Sequence, residues 1–338
     1  MCNNHHCHIV PPHILEELAK RGSISCKKTL NDTHRILQKR NTSLNNLLIR
    51  EYGEGVGDRY IYDSHNRYKQ RLALRRKEGG VSYVDHVVNE AYDTSGFVRE
   101  YFKNTFGLNS VNGEGLDIIS NVHYGVNYNN AFWDGDEMTY GDGDNIEFNN
   151  FASAIDVVAH ELMHGVTQFT ANLEYKAQSG ALNEHFSDVF GTIIKQKYLK
   201  QSLSEADWLI GDTVVTEEFP GKAIRSIKEP GIANDFDLQP AHMKDYYTGS
   251  SDNEGVHINS GIPNKAFYLC CLEIGIDECA LIWFETLKLL WRTANFNDLL
   301  EVILTTTKRL VEEKDICDTA VEAITESFAK VGLEQVVV

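Results

Sequence analysis

Two histidines and a glutamate in the run His160-Glu161-Leu162-Met163-His164 have the types and spacing needed for metal-assisted hydrolysis. If residues 156–169 form a helix, His160 and His164 lie one turn apart on the same face, where two imidazoles can bind one zinc ion. Glu161 then points to the side, within reach of a water on the metal, as a general base requires. The same five residues could also lie on a solvated helix that binds nothing, because so short a pattern arises by chance.

A third metal ligand is expected on a second helix, predicted over residues 179–198. Apolar residues recur there at helical spacing, and Glu184 falls in the first turns. Asp188 lies four residues later on the same face, where it could accept a hydrogen bond from a zinc-binding histidine and fix its tautomer. Two histidines and one glutamate leave the fourth position of a tetrahedral zinc for water, which is typical of catalytic rather than structural sites.

Three separated blocks of the chain resemble the thermolysin family of zinc metallopeptidases. They are HELMHGVTQFTANLEYKAQSGALNEHFSDVFG (160–191), NAFWDGDEMTYGDGD (130–144) and DNEGVHINSG (252–261). The resemblance runs in the family's order from about residue 58 to the C-terminus. It implies an α+β fold of two lobes with the zinc in the cleft between them. The N-terminal lobe, mixed β/α, is expected over residues 51–175 and the helical C-terminal lobe over residues 176–338.

Further catalytic residues follow from this resemblance rather than from spacing. In the family a tyrosine and a histidine stabilise the oxyanion, and they match Tyr175 and His257. An aspartate that orients the histidine matches Asp252. An imidazolium at His257 could donate a hydrogen bond to a tetrahedral oxyanion at neutral pH. A lone tyrosine or histidine in a glycine-rich loop is more often structural, but both of these lie inside matching blocks.

The resemblance also implies how a peptide substrate is held. Asn130 and Ala131 match the edge-strand positions that pair with an extended peptide backbone. Arg225 matches an arginine that, in the family, binds a substrate carbonyl and also contacts groups around a zinc ligand. Cleavage is expected on the amino side of a large hydrophobic residue. Six apolar residues match the pocket for that residue: Phe148, Phe151, Val157, Ile210, Val214 and Ile224.

The first 50 residues differ in composition from the rest and resemble the short propeptide of protealysin-type members of the family, which carry a comparable Pro-Pro block at Pro11 and Pro12. We expect residues 1–50 to be an inhibitory prosegment that acts in cis, with the rigid Pro-Pro unit blocking the cleft. Cys7 could bind the zinc as a thiolate or simply lie near it. The alternative is an ordinary helical extension at the N-terminus.

Calcium binding is where this sequence departs from the family pattern. Members with paired calcium ions use a cluster of carboxylates, and Asp156, Asp207 and Asp212 match part of it. Lys195 and Leu209 stand where two glutamates are expected. An ammonium in place of a bridging carboxylate removes a hard oxygen ligand and adds repulsion. We therefore expect one calcium at most.

Composition narrows the classes of partner. The chain has 338 residues, 42% of them hydrophobic, and a net charge of -17. Such an acidic protein is not expected to bind nucleic acid or an anionic membrane. No apolar run is long enough to span a bilayer, and we expect no classical secretory signal at the N-terminus. Family resemblance favours secretion and the missing signal favours the cytoplasm; we also expect a monomer with its seven cysteines reduced.

Hydrophobic spacing predicts the elements around the site. Before the zinc helices it predicts helices over residues 14–21, 33–50 and 84–105, and strands over residues 116–124 and 130–140. After them it predicts helices over residues 259–273, 279–290, 296–311 and 317–331, with Gly332 ending the last.

Together these features predict a zinc-dependent endopeptidase made as a latent precursor, whose partners are peptide or protein substrates and its own prosegment. An alternative from another class is a catalytically silent zinc-binding protein that keeps the fold and binds peptides. Such a module has no use for a base at Glu161. A purely structural acidic protein would require every match to be accidental.

Overall fold

The computed structural model describes residues 7–40 and 55–334 of the chain. Pro11 is extended and Pro12 takes the first helical position, which suits a proline because the N–H that it lacks would have no partner in the helix. The helix predicted over residues 14–21 is confirmed. The next one begins at Ile24 rather than at Thr33, and residues 41–50 of that prediction lie outside the described residues. The N-terminal segment thus contains β1 (Cys7–His8), α1 (Pro12–Lys20) and α2 (Ile24–Arg40).

A six-stranded sheet forms the N-terminal lobe, and the N-terminal segment supplies one of its edges. The strand order is β1-β5-β6-β4-β2-β3. β1 runs antiparallel to β5, with Cys7 opposite Trp133 and His8 opposite Phe132. The other strands are β2 (Arg59–Asp63), β3 (Ala73–Lys77), β4 (Ile118–Val122), β5 (Ala131–Trp133) and β6 (Met138–Tyr140).

The single strand predicted over residues 130–140 is wrong, because the chain turns back in its middle. The Asp134 side chain accepts hydrogen bonds from the backbone N–H groups of Asp136 and Glu137. Gly135 adopts a φ of 93°, which favours glycine. The result is the antiparallel hairpin of β5 and β6. The strand predicted over residues 116–124 is confirmed as β4.

Three long helices pack behind and beside this sheet. The helix predicted over residues 84–105 is confirmed as α3 (His86–Phe106), which starts where the Asp85 side chain accepts from the Val87 N–H. The two predicted zinc helices are confirmed as α4 (Ile155–Phe169) and α5 (Ala177–Leu199). Nearly all of α4 is buried, because it lies between the sheet and α5.

After α5 the chain is largely irregular up to residue 250 and contains one short antiparallel strand pair, β7 (Leu209–Ile210) with β8 (Arg225–Ser226). From Ser251 onward it is mainly helical. The four predicted helices are found with shifted ends, and Gly332 lies three residues beyond the end of the last one, Ala329. The lobe boundary at residue 175 stays a prediction. The helices are α6 (Ser251–Asn259), α7 (Gly261–Ile274), α8 (Ile276–Leu287), α9 (Phe296–Glu313) and α10 (Ala320–Ala329).

The first turn of α6 is left-handed. Asp252, Asn253, Glu254 and Gly255 have φ values of 55°, 49°, 67° and 84°. Residues other than glycine adopt this conformation rarely and at a cost in free energy, so a run of them is commonly associated with a functional site.

One contiguous hydrophobic core takes in both lobes and side chains of the N-terminal segment, among them Ile9, Ile14 and Leu18. The segment is therefore packed as part of the fold. Within residues 7–40 and 55–334, none of the helices is long and apolar enough to cross a membrane. The six cysteines of this part of the chain are free thiols, and Cys2 lies outside it.

Candidate active site

The three predicted metal ligands converge at the contact between α4 and α5. The Nε2 atoms of His160 and His164 are 3.1 Å apart. Glu184 places one carboxylate oxygen 3.4 Å from His160 Nε2 and the other 3.5 Å from His164 Nε2. Ligand atoms about 2.0–2.1 Å from a tetrahedral zinc lie about 3.3–3.4 Å from one another, so this donor set fits the ion.

Buried hydrogen bonds fix the orientation of both imidazoles. His160 Nδ1 is 2.9 Å from an oxygen of Asp188, as the sequence predicts. The Asp188 carboxylate is in turn bound by the Arg225 guanidinium, at 2.8 Å and 3.0 Å, and by the Asn264 amide, at 2.9 Å. Such outer partners set the tautomer of a metal-binding histidine and raise its basicity.

Asn183, which orients the second histidine, was not predicted from the sequence. His164 Nδ1 lies 2.8 Å from Asn183 Oδ1 and 3.0 Å from the Ser187 hydroxyl. Asn183 precedes the ligand Glu184 in the chain, and the available signal was a polar residue on the fully buried face of α5. Spacing alone could not say which ring it would meet.

Glu161 lies beside the metal site. One of its carboxylate oxygens accepts a hydrogen bond, and the other has no partner among the described residues. Its Oε2 accepts a hydrogen bond of 2.7 Å from the Trp133 N–H, which holds the side chain against strand β5. Its Oε1 is buried and has no hydrogen-bond partner among the described residues. Burial raises the pKa of Glu161 to about 8. Its unpartnered Oε1 is the atom that could accept a proton.

Tyr175 and His257 meet on the other side of the metal ligands. The Tyr175 hydroxyl is 3.2 Å from His257 Nε2 and donates a hydrogen bond to Glu184. Asp252, in the left-handed turn, lies 2.6 Å from His257 Nδ1 and accepts the His257 backbone N–H at 2.8 Å. Burial opposes charge on this imidazole, but the nearby carboxylates outweigh it and raise the pKa of His257 to about 9. A protonated His257 can donate through Nε2 into the cleft.

The remaining predicted substrate-binding residues lie in or next to β5 and β8, or in the hydrophobic core. Asn130 precedes and Ala131 begins strand β5, which pairs with β1 of the N-terminal segment, and Arg225 begins β8. The six residues of the predicted pocket are fully buried and belong to the core that includes Ile9: Phe148, Phe151, Val157, Ile210, Val214 and Ile224.

The N-terminal segment fills this cleft with its own backbone. Asn130 and Arg225 bind it directly: the Asn130 side chain accepts the Val10 N–H at 2.9 Å and donates to the Val10 carbonyl at 3.1 Å. The Arg225 guanidinium donates to the Ile9 carbonyl at 2.7 Å. Residues 7–10 therefore occupy the place expected of a substrate.

Pro11 precedes α1 and Pro12 begins it. The hydrogen bonds of the segment to the site come from His8, Ile9 and Val10. The role of the Pro-Pro unit in blocking the cleft stays a prediction. The Cys7 thiol is buried, and its sulfur lies within 4.8 Å of ligand atoms of His164 and Glu184, so the three could share one metal ion. Burial and the nearby carboxylates of Glu184 and Glu161 raise the pKa of the Cys7 thiol.

The three predicted calcium ligands converge, but on an ammonium group. The Lys195 Nζ atom is 3.1 Å from Asp207, 2.5 Å from Asp212 and 3.7 Å from Asp156. It also donates to the Leu209 carbonyl at 3.2 Å. The side chain of Lys195 thus occupies the centre of this carboxylate cluster.

Comparison with known proteins agrees with this geometry. Residues 24–168 match the family described as "Thermolysin metallopeptidase, catalytic domain", and residues 171–333 match "Thermolysin metallopeptidase, alpha-helical domain". The chain is 40% identical to Protease PrtS of Photorhabdus sp. (strain Az29), over 98% of this chain and 93% of the relative. It is 39% identical to an extracellular metalloprotease of Pectobacterium carotovorum subsp. carotovorum, over 86% and 87% of the two chains.

A solved structure extends the likeness to the N-terminal segment. The precursor of protealysin, a metalloproteinase from Serratia proteamaculans, is 38% identical and superposes with a TM-score of 0.84 over 97% of this chain and 99% of that one. Fold and site together define a metalloendopeptidase that uses zinc. The chain belongs to the thermolysin family, is similar within it to the protealysin precursor, and carries a propeptide at its N-terminus.

Proposed function

We propose that this chain is the latent precursor of an endopeptidase that cleaves on the amino side of large hydrophobic residues. The observation that carries the proposal is the backbone of residues 7–10, which Asn130 and Arg225 hold in the cleft beside Glu161 and His257. These hydrogen bonds are made to backbone N–H and carbonyl groups, so any extended peptide could form them. The buried apolar pocket beside Arg225 supports selection of a large apolar side chain after the cleaved bond.

The roles that we propose for these side chains in peptide hydrolysis follow from the positions of their donor and acceptor atoms. His160, His164 and Glu184 would hold the zinc, which would supply a polarised water when bound. Glu161 Oε1 accepts a proton from that water and later delivers it to the leaving amine. Tyr175 and protonated His257 donate to the oxygen that gains negative charge, and these donors are already in place before the reaction.

Latency is proposed to come from the N-terminal segment, with Cys7 in the position of the water. The Cys7 sulfur lies among the metal ligands, and zinc favours a thiolate even where burial disfavours one. Secretion is proposed because the Pectobacterium relative is named an extracellular metalloprotease. We further propose that no calcium is needed where Lys195 already supplies a positive charge.

The test is turnover of casein by the purified chain, with and without a zinc chelator, while mass spectrometry follows its N-terminus. Glu161→Gln keeps the size of the side chain and removes the base. It should retain about one zinc per chain while turnover falls by about 10²–10⁴-fold, the usual contribution of a general base. A zinc-loaded chain that has lost residues 1–50 and still does not hydrolyse casein would support the silent peptide-binding alternative.

Specificity is tested separately with a peptide library and the matured protein. Cleavage should fall before leucine, isoleucine, valine or phenylalanine. Ile224→Asp should remove that preference because a carboxylate in a fully buried apolar pocket is unfavourable. Cleavage chiefly after basic residues would contradict the proposed pocket.

A further inference from the structure

The N-terminal segment is bound in a defined direction and register, which can be read from its backbone hydrogen bonds. β1 is antiparallel to β5, and the Ile9 N–H donates to the Ala131 carbonyl at 3.2 Å. One residue further on, the Asn130 side chain binds both the N–H and the carbonyl of Val10. Together with Arg225 on the Ile9 carbonyl, these bonds hold two consecutive residues, Ile9 and Val10, at every backbone donor and acceptor.

This register brings one peptide group of the segment to the catalytic centre. The His8 carbonyl oxygen is 3.0 Å from Nε2 of His257, the nitrogen that also faces the Tyr175 hydroxyl. The N–H of the same peptide group is the Ile9 N–H held by Ala131. The His8–Ile9 bond therefore has its carbonyl directed at the proton donors and its nitrogen hydrogen-bonded to strand β5.

The side chains on either side of this bond fit the same arrangement. Ile9, which follows it, is fully buried and belongs to the hydrophobic core. The His8 ring packs edge-on against Phe132, with the ring centroids 5.3 Å apart. Cys7, one residue before, places its sulfur among the metal ligands.

We infer that the segment is bound as a substrate, with His8–Ile9 in the position of the bond to be cleaved, and that Cys7 alone keeps this bond intact by taking the place of the attacking water. The inference rests on the proposed function and deepens it, since it names both the register and a preferred sequence, His-Ile-Val, for an extended peptide. Latency then comes from one thiol within an otherwise productive complex.

Hydrolysis of this bond needs one water and no other reactant. Water adds its oxygen to the His8 carbonyl carbon and gives one proton to Glu161. The His8–Ile9 carbon–nitrogen bond then breaks, and this proton and the second proton of the water pass to the Ile9 nitrogen, which becomes an ammonium group. The products are a carboxylate at His8 and a new amino terminus at Ile9. Because Asn130 and Arg225 bind groups on the Ile9 side, that product remains in the cleft after cleavage.

The experiment compares alanine variants of two buried cysteines in the full-length chain. Cys7→Ala removes the thiol from the metal site, whereas Cys26→Ala removes an equally buried thiol on α2 that faces Asn129. Cys7→Ala should acquire a new N-terminus at Ile9 under conditions in which the wild type and Cys26→Ala stay uncut there. Cys7→Ser serves if the alanine variant does not fold. Adding Glu161→Gln should slow the cut by about 10²–10⁴-fold.

Register is tested by a second pair of variants in the Cys7→Ala chain. Ile9→Leu should still be cut before residue 9, and Ile9→Asp should not, since the Ile9 site is fully buried and apolar. A readout independent of turnover is hydrogen exchange in the Glu161→Gln chain. The amides of Ile9 and Val10 should be protected, and Asn130→Ala should expose the Val10 amide more than the Ile9 amide.

The outcomes separate this inference from the proposed function. A Cys7→Ala chain that hydrolyses casein after maturation but is never cut between His8 and Ile9 overturns the inference alone. Cleavage at another bond of residues 7–13, or unprotected amides at Ile9 and Val10, has the same consequence. A zinc-loaded chain that cuts neither casein nor its own segment overturns both.

Discussion

Replacing Lys195 by alanine should destabilise the protein and at the same time create a binding site for calcium. The Lys195 ammonium is almost fully buried and lies within 3.7 Å of three aspartates, Asp156, Asp207 and Asp212. Asp156 is itself buried, at 1% exposure, so it cannot recover its hydration when the lysine is removed. The positive charge of Lys195 therefore offsets the repulsion among the three aspartates, which a bound cation would otherwise have to offset.

The magnitude follows from the burial of the cluster. Removing one partner of a buried ion pair costs about 3–5 kcal/mol, because a charge is left uncompensated. Unfolding entropy of about 2.1 cal/mol/K per residue gives about 0.7 kcal/mol/K for this chain, so the melting temperature should fall by about 4–7 °C. The alanine side chain also leaves room among three carboxylates and the Leu209 carbonyl, all hard oxygen ligands of the kind that calcium prefers.

The assay is thermal unfolding in a Glu161→Gln background, called the inactive background here, which prevents self-digestion. Lys195→Ala is measured with calcium and with a calcium-selective chelator. Calcium at about 100 times its Kd should restore about 2.7 kcal/mol. The matched control is Lys197→Ala on the same helix, since Lys197 pairs with Asp277 at the surface, where such pairs contribute about 0–1 kcal/mol.

Two results would refute the reasoning. One is a Lys195→Ala chain whose melting temperature lies within about 1 °C of the Lys197→Ala control, because the ammonium would then contribute no more than a surface charge. The other is an equal gain on adding calcium for the wild type and for Lys195→Ala. In that case calcium would bind at another site, and Lys195 would not occupy the position of a calcium ion.

Two further predictions concern pH, and both are measured as unfolding transitions in the inactive background. Burial and the adjacent Asp144 raise the pKa of Glu147 to about 7, so the penalty for charging Glu147 is absent below about pH 4 and complete above pH 7. Stability should fall between about pH 4 and pH 7, and Glu147→Gln should flatten that decline. Hydrogen bonds to Asp142 and Asp85 outweigh burial and raise the pKa of His123 to about 9, so its contribution is full below pH 6.5 and lost through pH 9. Relative to His123→Gln, the wild type should lose about 3 kcal/mol over that range, and equal slopes for the two chains would contradict the assignment.

Local patterns were enough to find the chemical groups of the site. His160 and His164 share a face because a helix repeats every 3.6 residues. Apolar spacing predicted the second zinc helix, over residues 179–198. Glu184 and Asp188 were found in the same way on α5. The blocks that resemble the family supplied Tyr175, Asp252 and His257, whose loop surroundings carry no periodic signal.

Other features depended on contacts between residues far apart in the chain. Asn183 could not be assigned to His164 from spacing, because the contact depends on how α5 is rotated against α4. The strand predicted over residues 130–140 failed because an alternating pattern does not show where a turn by Asp134 interrupts it. The Pro-Pro unit was expected in the cleft because it is rigid; the structure adds that Pro12 also begins α1.

The sequence by itself determined that this chain has a zinc site with a base beside it and a distinct N-terminal segment, because these are properties of residue types at short spacing. Only the tertiary structure decided what the segment does in the cleft. His257 lies within hydrogen-bonding distance of the His8 carbonyl although the two residues are 249 positions apart in the sequence. Arg225 donates to the Ile9 carbonyl over a separation of 216 positions. These are backbone acceptors, which every residue carries, so no side-chain pattern could identify them before the two lobes and the N-terminal segment were packed together.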